Sequence, residues 1–159
     1  MAQFTAVSVF NNAIADQTES LVNTKKRIAI LRSNKSRIEK ILRPVALIMS
    51  GAGLNNNSVF VNADSHDETF TIGLYVYGLE SFKAPALVTL IEYFDSMSDE
   101  GQTRTRDWPE SINRDYHFRL HKGNKVTLGA YVKDDSPTCR KVVIGSEVKE
   151  VFKYEIQCD

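Results

Sequence analysis

The first third of the chain repeats apolar residues at a spacing of 3.5, and this repeat constrains the fold more than any other feature. Nine of the twelve a and d positions of a heptad drawn from Val7 to Val45 are apolar. Such spacing, sustained over this length, is typical of a helix that packs along a continuous seam, as in coiled coils. The seam residues that we predict to carry an interaction are Ile14, Leu21, Ile28, Leu31, Ile38 and Leu42.

The length of this helix is a second constraint. Unbroken from Thr5 to Arg43, it reaches about 58 Å. A single domain of 159 residues has a radius of gyration of only about 15 Å. The helix therefore protrudes unless it folds back on the body or binds a partner.

An alternative interpretation divides the segment into two helices, at 11–33 and 36–49. The stretch 33–36 is a poor helix interior, and Ser36 with Glu39 has the spacing of a capping box. Pro44 then kinks the second helix or opens a further turn. Gly51 and Gly53 end the helical region in either interpretation.

The remainder of the chain alternates apolar and polar residues with a period of two, which indicates strands. One helix, beginning at Pro85 with an apolar face through Leu90 and Phe94, interrupts them. Because the connections between successive strands are short, we expect an antiparallel sheet. The prediction is one α+β domain, 1–159, with a helical segment 1–50 and a β-rich body 58–159. The expected strands lie near 59–61, 69–76, 115–121, 126–133, 138–144 and 148–157.

The net charge of zero conceals an uneven distribution. Residues 1–61 carry eight basic and three acidic side chains, 62–115 carry four and eleven, and 116–159 carry eight and six. A uniformly basic surface is excluded, but a local basic helix is not. That helix either tracks the phosphates of a nucleic acid, lies in solvent, or docks on the acidic middle of a chain. Its cations are Lys25, Lys26, Arg27, Arg32, Lys35, Arg37, Lys40 and Arg43.

Polar side chains of the hairpin near 115–133 form a second candidate site. We expect His117, Arg119, His121 and Tyr131 to share one face with Thr127, where they either hold a phosphate or carboxylate or simply meet solvent. Two histidines four residues apart on a strand are about 13 Å apart, too far to share a metal ion. The acidic segment 64–68 either forms a polar hairpin tip or coordinates a divalent cation through its oxygens, although it lacks the spacing of a calcium loop. Trp108 is interpreted as a loop residue that anchors an interface or covers the core.

The sequence contains no motif for nucleophilic catalysis, phosphate cradling or metal-dependent hydrolysis, so it gives no support for an enzyme, and we predict no cofactor and no metal. Cys139 and Cys158 are expected as reduced thiols, because a turn at Gly145 opposes Cys139 to Lys153. No apolar run reaches the length of a membrane span, and a cytoplasmic protein is expected. The leading hypothesis is an interaction or assembly protein that self-associates or binds a protein through its amino-terminal helix. Nucleic-acid binding by the segment 25–43 is the alternative.

Overall fold

The computed structural model describes residues 6–54, 57–99, 104–108, 112–133, 136, 139–146 and 152–158. Helix α1 spans Ala6–Gly51 as one continuous helix. The side chains of Ser33 and Asn34 donate to the Ile30 carbonyl oxygen, each at 2.9 Å. These polar side chains are satisfied within the helix, so the capping box at Ser36 does not begin a second one. Of the two interpretations, the single helix is therefore correct.

The carboxyl end of α1 closes with a Schellman motif. Gly53 adopts a φ of 67°, which favours glycine, and the Leu54 amide donates to the Met49 carbonyl at 3.0 Å. The Gly53 amide donates to Ser50 at 3.1 Å. The predicted end of the helical region is confirmed.

After α1 come strands β1 (Asn57–Asp64) and β2 (Thr69–Leu79), helix α2 (Pro85–Ser96), and strands β3 (Arg104–Trp108) and β4 (Asn113–Arg119). A short 3-10 turn (His121–Gly123) leads into β5 (Lys125–Val132), and β6 (Cys139–Ser146) and β7 (Phe152–Cys158) follow. The α+β class is confirmed. Trp108 belongs to β3, so its placement in a loop was wrong.

The sheet is mixed, whereas an antiparallel sheet was predicted. Its strand order is β1-β2-β5-β4-β3, and β2 pairs with β5 in parallel. Short connections exclude parallel pairing only between strands that follow one another in the chain. Between β2 and β5 the chain passes through α2, β3 and β4, which is long enough to reverse its direction twice. Strands β6 and β7 form a separate two-stranded sheet.

The second hairpin corrects the prediction for the cysteines. Cys158 is disulfide-bonded. The register of β6 and β7 places it opposite Cys139, the only other cysteine of the sequence. The predicted register was wrong because the strands continue to Ser146 and resume at Phe152, so no turn falls at Gly145.

Both helices pack on one face of the five-stranded sheet. Phe94 of α2 meets Phe118 of β4 with ring centroids 5.4 Å apart. The Tyr93 hydroxyl donates to the Ile41 carbonyl of α1 at 3.0 Å, which joins the two helices. A single hydrophobic cluster contains the buried residues of α1, α2 and the inner sheet face, among them Ile38, Ile41, Val45, Met49, Leu87, Leu90, Ile72, Leu74, Val126 and Leu128.

Candidate functional site

The amino-terminal half of α1 extends away from the body. Every residue from Ile14 to Ala29 is exposed except Asn23, which is intermediate. Further along the same helix, Ile38, Ile41, Val45 and Met49 are buried. We call residues 14–30 the projecting segment and residues 38–49 the packed segment. Apart from the half-buried Asn23 and Ile30, every residue of the projecting segment is exposed.

The predicted seam is divided between these two segments. In the projecting segment, Ile14, Leu21 and Ile28 remain 50%, 63% and 43% exposed. Leu31 and Leu42 pack partly against the core, and Ile38 is buried. The last three contribute to the body of their own chain, so only the first three are free for another molecule. Val7 and Phe10, which continue the repeat, have side chains outside the described part.

Cations flank the exposed part of the seam. Lys25 and Arg32 occupy e positions and Arg27 a g position of the heptad, and all three are exposed. The acidic residues Asp16 and Glu19 occupy positions c and f, away from the seam. Positions e and g line the contact between paired helices. Any helix that covers this seam therefore meets a basic border.

The eight predicted polyanion-binding residues do not form one surface. Arg37 docks on the body, since its Nη2 donates to the His121 carbonyl at 2.9 Å and its guanidinium lies 5.8 Å from the Phe70 ring centroid. Lys35 faces Glu39 at 3.8 Å. The others, exposed and spread around the helix, are Lys25, Lys26, Arg27, Arg32, Lys40 and Arg43. Nucleic-acid binding by this helix stays a prediction.

The sheet face opposite the helices carries a row of aromatic rings, of which only Tyr131 was predicted to belong to a site. We call this side the open face. The Phe60 and Tyr75 rings stack with centroids 5.7 Å apart, and Tyr131 lies 6.1 Å from Tyr75 and 4.7 Å from Tyr77. The alternation of apolar and polar residues could have predicted this row, because Tyr75 and Tyr77 of β2 and Tyr131 of β5 occupy outward positions of their strands.

Two glycines let these rings lie against the sheet. A Cβ atom at Gly73 would come within 2.2 Å of Phe60 Cζ, and one at Gly129 within 2.3 Å of Tyr75 Cδ1. Any larger residue at either position would displace the ring above it. The glycines therefore fix the height of the rings over the backbone.

The predicted ligand face is assembled in part. His117, Arg119 and Tyr131 belong to the open face, and His117 Nδ1 lies 3.3 Å from Thr127 Oγ1. His121 lies in the 3-10 turn instead, with its Nδ1 3.5 Å from Asp99 Oδ2. It therefore lies beyond the end of β4, which carries His117 and Arg119, while Tyr131 lies on β5. A joint action of both histidines on one ligand is not supported by this placement.

Burial raises the pKa of Tyr75 and Tyr131, and the nearby charge of Asp115 raises both further. Both hydroxyls are therefore neutral at physiological pH. They present hydrogen-bonding groups at the rim of apolar rings, without added negative charge.

The acidic hairpin tip is explained by its backbone. Asp64 Oδ1 accepts hydrogen bonds from the amides of His66 at 2.8 Å and Asp67 at 3.4 Å. These bonds, the one from His66 first, lower the pKa of Asp64. The carboxylate stabilises the turn.

An apolar groove of about 340 Å³ lies where the end of α1 meets edge strand β1. Leu42, Val45, Met49 and Val59 are among its lining residues, and none of the described residues that line it has a titratable side chain.

Within the described ranges, no three His, Cys, Asp or Glu side chains are grouped as metal ligands. None of the described helices, α1 included, combines the length and apolarity that crossing a bilayer requires. No protein-family model, curated protein or solved structure matches the chain significantly.

Proposed function

We propose that the chain is a protein-interaction module whose projecting segment binds an amphipathic helix of another protein. The observation that carries this proposal is the row formed by Ile14, Leu21 and Ile28, which recur every seven residues and are 43–63% exposed. Covering a large aliphatic side chain completely contributes about 1.5–3 kcal/mol, so three half-exposed ones supply part of a helix–helix interface.

The geometry of the segment favours a helical partner over a globular one. A seven-residue repeat keeps its apolar positions on one side of a helix, where the side chains of a second helix interdigitate with them. The polar d positions Gln17 and Thr24 interrupt this row. We therefore expect a reversible interaction rather than a permanent one.

The basic border selects the charge of the partner. In a parallel pair of identical chains, Arg27 of one helix faces Arg32 of the other, and in an antiparallel pair the e positions, which include Lys25 and Arg32, face the e positions of the other chain. Like charges at these positions destabilise pairing by a few tenths of a kcal/mol each. A helix with Glu or Asp at its e and g positions gains instead. The proposed partner is therefore an acidic amphipathic helix, in preference to a second copy.

Two synthetic peptides test this proposal directly. Both have about four heptads with Leu and Ile at positions a and d, and they differ only in Glu or Lys at positions e and g. We expect the Glu peptide to bind in a fluorescence anisotropy titration, to bind more weakly as salt is added, and to bind at least about tenfold more tightly than the Lys peptide.

Matched variants locate the binding surface. Ile14→Ala, Leu21→Ala and Ile28→Ala combined should abolish binding of the Glu peptide while preserving the helix, since alanine is a strong helix former. Leu47→Ala is the control, because Leu47 is 70% exposed but lies in the packed segment. Failure of the Glu peptide to bind, or equal binding of both peptides, contradicts the proposal.

Light scattering tests whether the seam binds a second copy of the chain instead of an acidic helix. If the chain is a dimer that the triple variant converts to a monomer, the seam binds a second copy and the acidic partner is wrong. We expect a monomer at low salt, where repulsion between the basic borders is strongest.

Cellular location needs its own test. The cytoplasmic location stays a prediction, and the disulfide at Cys158 weighs against it, since disulfides persist mainly in oxidising compartments. Thiol titration of the denatured protein, with and without reductant, measures whether that bond forms.

A further inference from the structure

The aromatic row of the open face is the surface feature that the projecting segment does not use. Rings normally add most stability inside a core, yet Phe60 is 39% exposed and Tyr75, Tyr77 and Tyr131 are only partly buried. Each of the four touches the next ring in the row. Together they form a continuous apolar strip across β1, β2 and β5. Both described helices lie on the other side of the sheet.

The charges beside the strip indicate what it fits. Arg106, Arg119 and Lys125 are exposed and share the open face, and Arg119 stands opposite Lys125 in the register. Among the described residues, the carboxylates of this face are Asp115, which stands opposite Arg106 in the register, and Asp64, whose oxygen is engaged by the turn after β1. Flat rings with cations at their border are suited to a ligand that alternates planar groups with negative charges.

We propose that the open face binds single-stranded nucleic acid. Bases stack on the rings of Phe60, Tyr75, Tyr77 and Tyr131, while Arg106, Arg119 and Lys125 contact phosphates. A paired duplex does not fit, because its bases are stacked on one another and cannot lie on a flat strip. A neutral sugar polymer uses the rings but not the three cations. This site is independent of the helix that we propose as the protein-binding segment.

Two glycines, one in β2 and one in β5, allow the rings of the strip to lie against the sheet. Gly73 and Gly129 lie beneath the rings of Phe60 and Tyr75, so no side chain pushes these rings upright. His117 and Thr127 occupy the adjoining register pair and supply polar contacts between the strip and the Arg119–Lys125 pair. The strip, the polar pair and the cations thus succeed one another along β5 and its neighbours.

The probe is a fluorescein-labelled oligothymidylate of about 15 nucleotides, matched to the size of other sheet-based single-strand sites. Anisotropy is measured with the full chain at low salt, and the same oligomer annealed to its complement is the duplex control. We expect the single strand to bind and the duplex to bind at least about tenfold more weakly.

Two double variants assign the site, and a third is the control. Tyr77→Leu with Tyr131→Leu should weaken binding by about tenfold or more, because stacking on each ring is lost. Arg119→Ala with Lys125→Ala should weaken binding and reduce its dependence on salt. Lys25→Ala with Arg32→Ala removes the same charge from α1. This control should leave the affinity for the oligomer within about twofold, because substitutions at distant sites act independently. Thermal melting checks that each variant folds.

A single substitution, Gly73→Ala, protects the test against misfolding of the double variants. Gly73→Ala keeps all four rings but displaces Phe60 from the strip, and it should weaken binding by about threefold or more, as a misplaced stacking partner does. No binding at about 100 μM protein, the weak end of non-specific affinity, overturns the proposal. So does binding that the α1 charge variant abolishes and the ring variants leave unchanged. Neither result affects the peptide experiment on the projecting segment.

Discussion

The projecting and packed segments of α1 share one apolar repeat but have opposite environments. Ile28 is 43% exposed, whereas Ile41, less than four helical turns away, is 6% exposed. The packed segment lies over the sheet and is joined to α2 through Tyr93. The projecting segment has the same kind of residues and no sheet beneath it. A heptad repeat therefore predicts that one side of a helix is buried by packing, but it does not predict whether the same chain or another molecule packs there.

The largest expected effect is a difference in the free energy of unfolding between substitutions in the two segments. Ile41→Ala removes buried methyl groups and should lower the free energy of unfolding by about 2–5 kcal/mol. Ile28→Ala makes the same change at an exposed position and should stay within about 0.5 kcal/mol of the parent. Urea denaturation followed by circular dichroism measures both. Equal losses would mean that the projecting segment also packs on the body, and the comparison would fail.

A smaller effect marks the boundary between the segments. Arg37 donates to the His121 carbonyl and lies over Phe70, while Arg32, more than one turn earlier, is exposed and makes no described contact with the body. We expect Arg37→Ala to cost about 1 kcal/mol and Arg32→Ala almost nothing. Thermal melts of the two variants check this difference. If Arg32→Ala is the more damaging, the packed segment begins earlier than proposed.

The smallest effect concerns the link between α2 and the packed segment, and it depends on pH. Tyr93→Phe removes the hydrogen bond to the Ile41 carbonyl and should cost about 0.5–1 kcal/mol at neutral pH. Burial raises the pKa of Tyr93 above 10.0, its ordinary value. As the pH rises past that value, the unfolded chain loses the hydroxyl proton before the folded protein does. Unfolding then releases that proton, and the stabilisation is lost as the pH rises above 10.0.

The pH dependence supplies its own control. Phenylalanine cannot ionise, so the difference between the parent and Tyr93→Phe should shrink as the pH rises, even though other groups also titrate. Denaturation series at neutral and alkaline pH measure this difference. A difference that grows with pH would contradict the assigned role of Tyr93.

Local patterns predicted the elements of this fold better than their partners. The face of α2 with Leu87, Leu90 and Phe94 is buried as expected, and the strand alternation near β2 and β5 places their apolar sides in the core. Periodicity determines which side of an element is buried, and this information is local. Which strand pairs with which is a non-local property, and the parallel contact of β2 with β5 was missed for that reason.

The candidate sites show the same division. A heptad repeat does not predict where the sheet beneath the helix ends. That end determines why Ile14, Leu21 and Ile28 are exposed and Ile38 is buried. The ring row depends on register, since Phe60 lies over Gly73 only through the pairing of β1 with β2. In the hairpin of His117, His117, Arg119 and Tyr131 were predicted to share one face, and the observed pairing of His117 with Thr127 places them there.

Hydrogen exchange along α1 tests the central claim most directly, because it reports each amide of one helix in one experiment. Helix without tertiary contacts opens easily, so we expect the amides of residues 14–30 to exchange at least about 100-fold faster than those of residues 38–49. Addition of the Glu peptide should then slow exchange in the projecting segment alone. Equal protection of both segments in the free chain would contradict the account, since it would show that the seam is already covered.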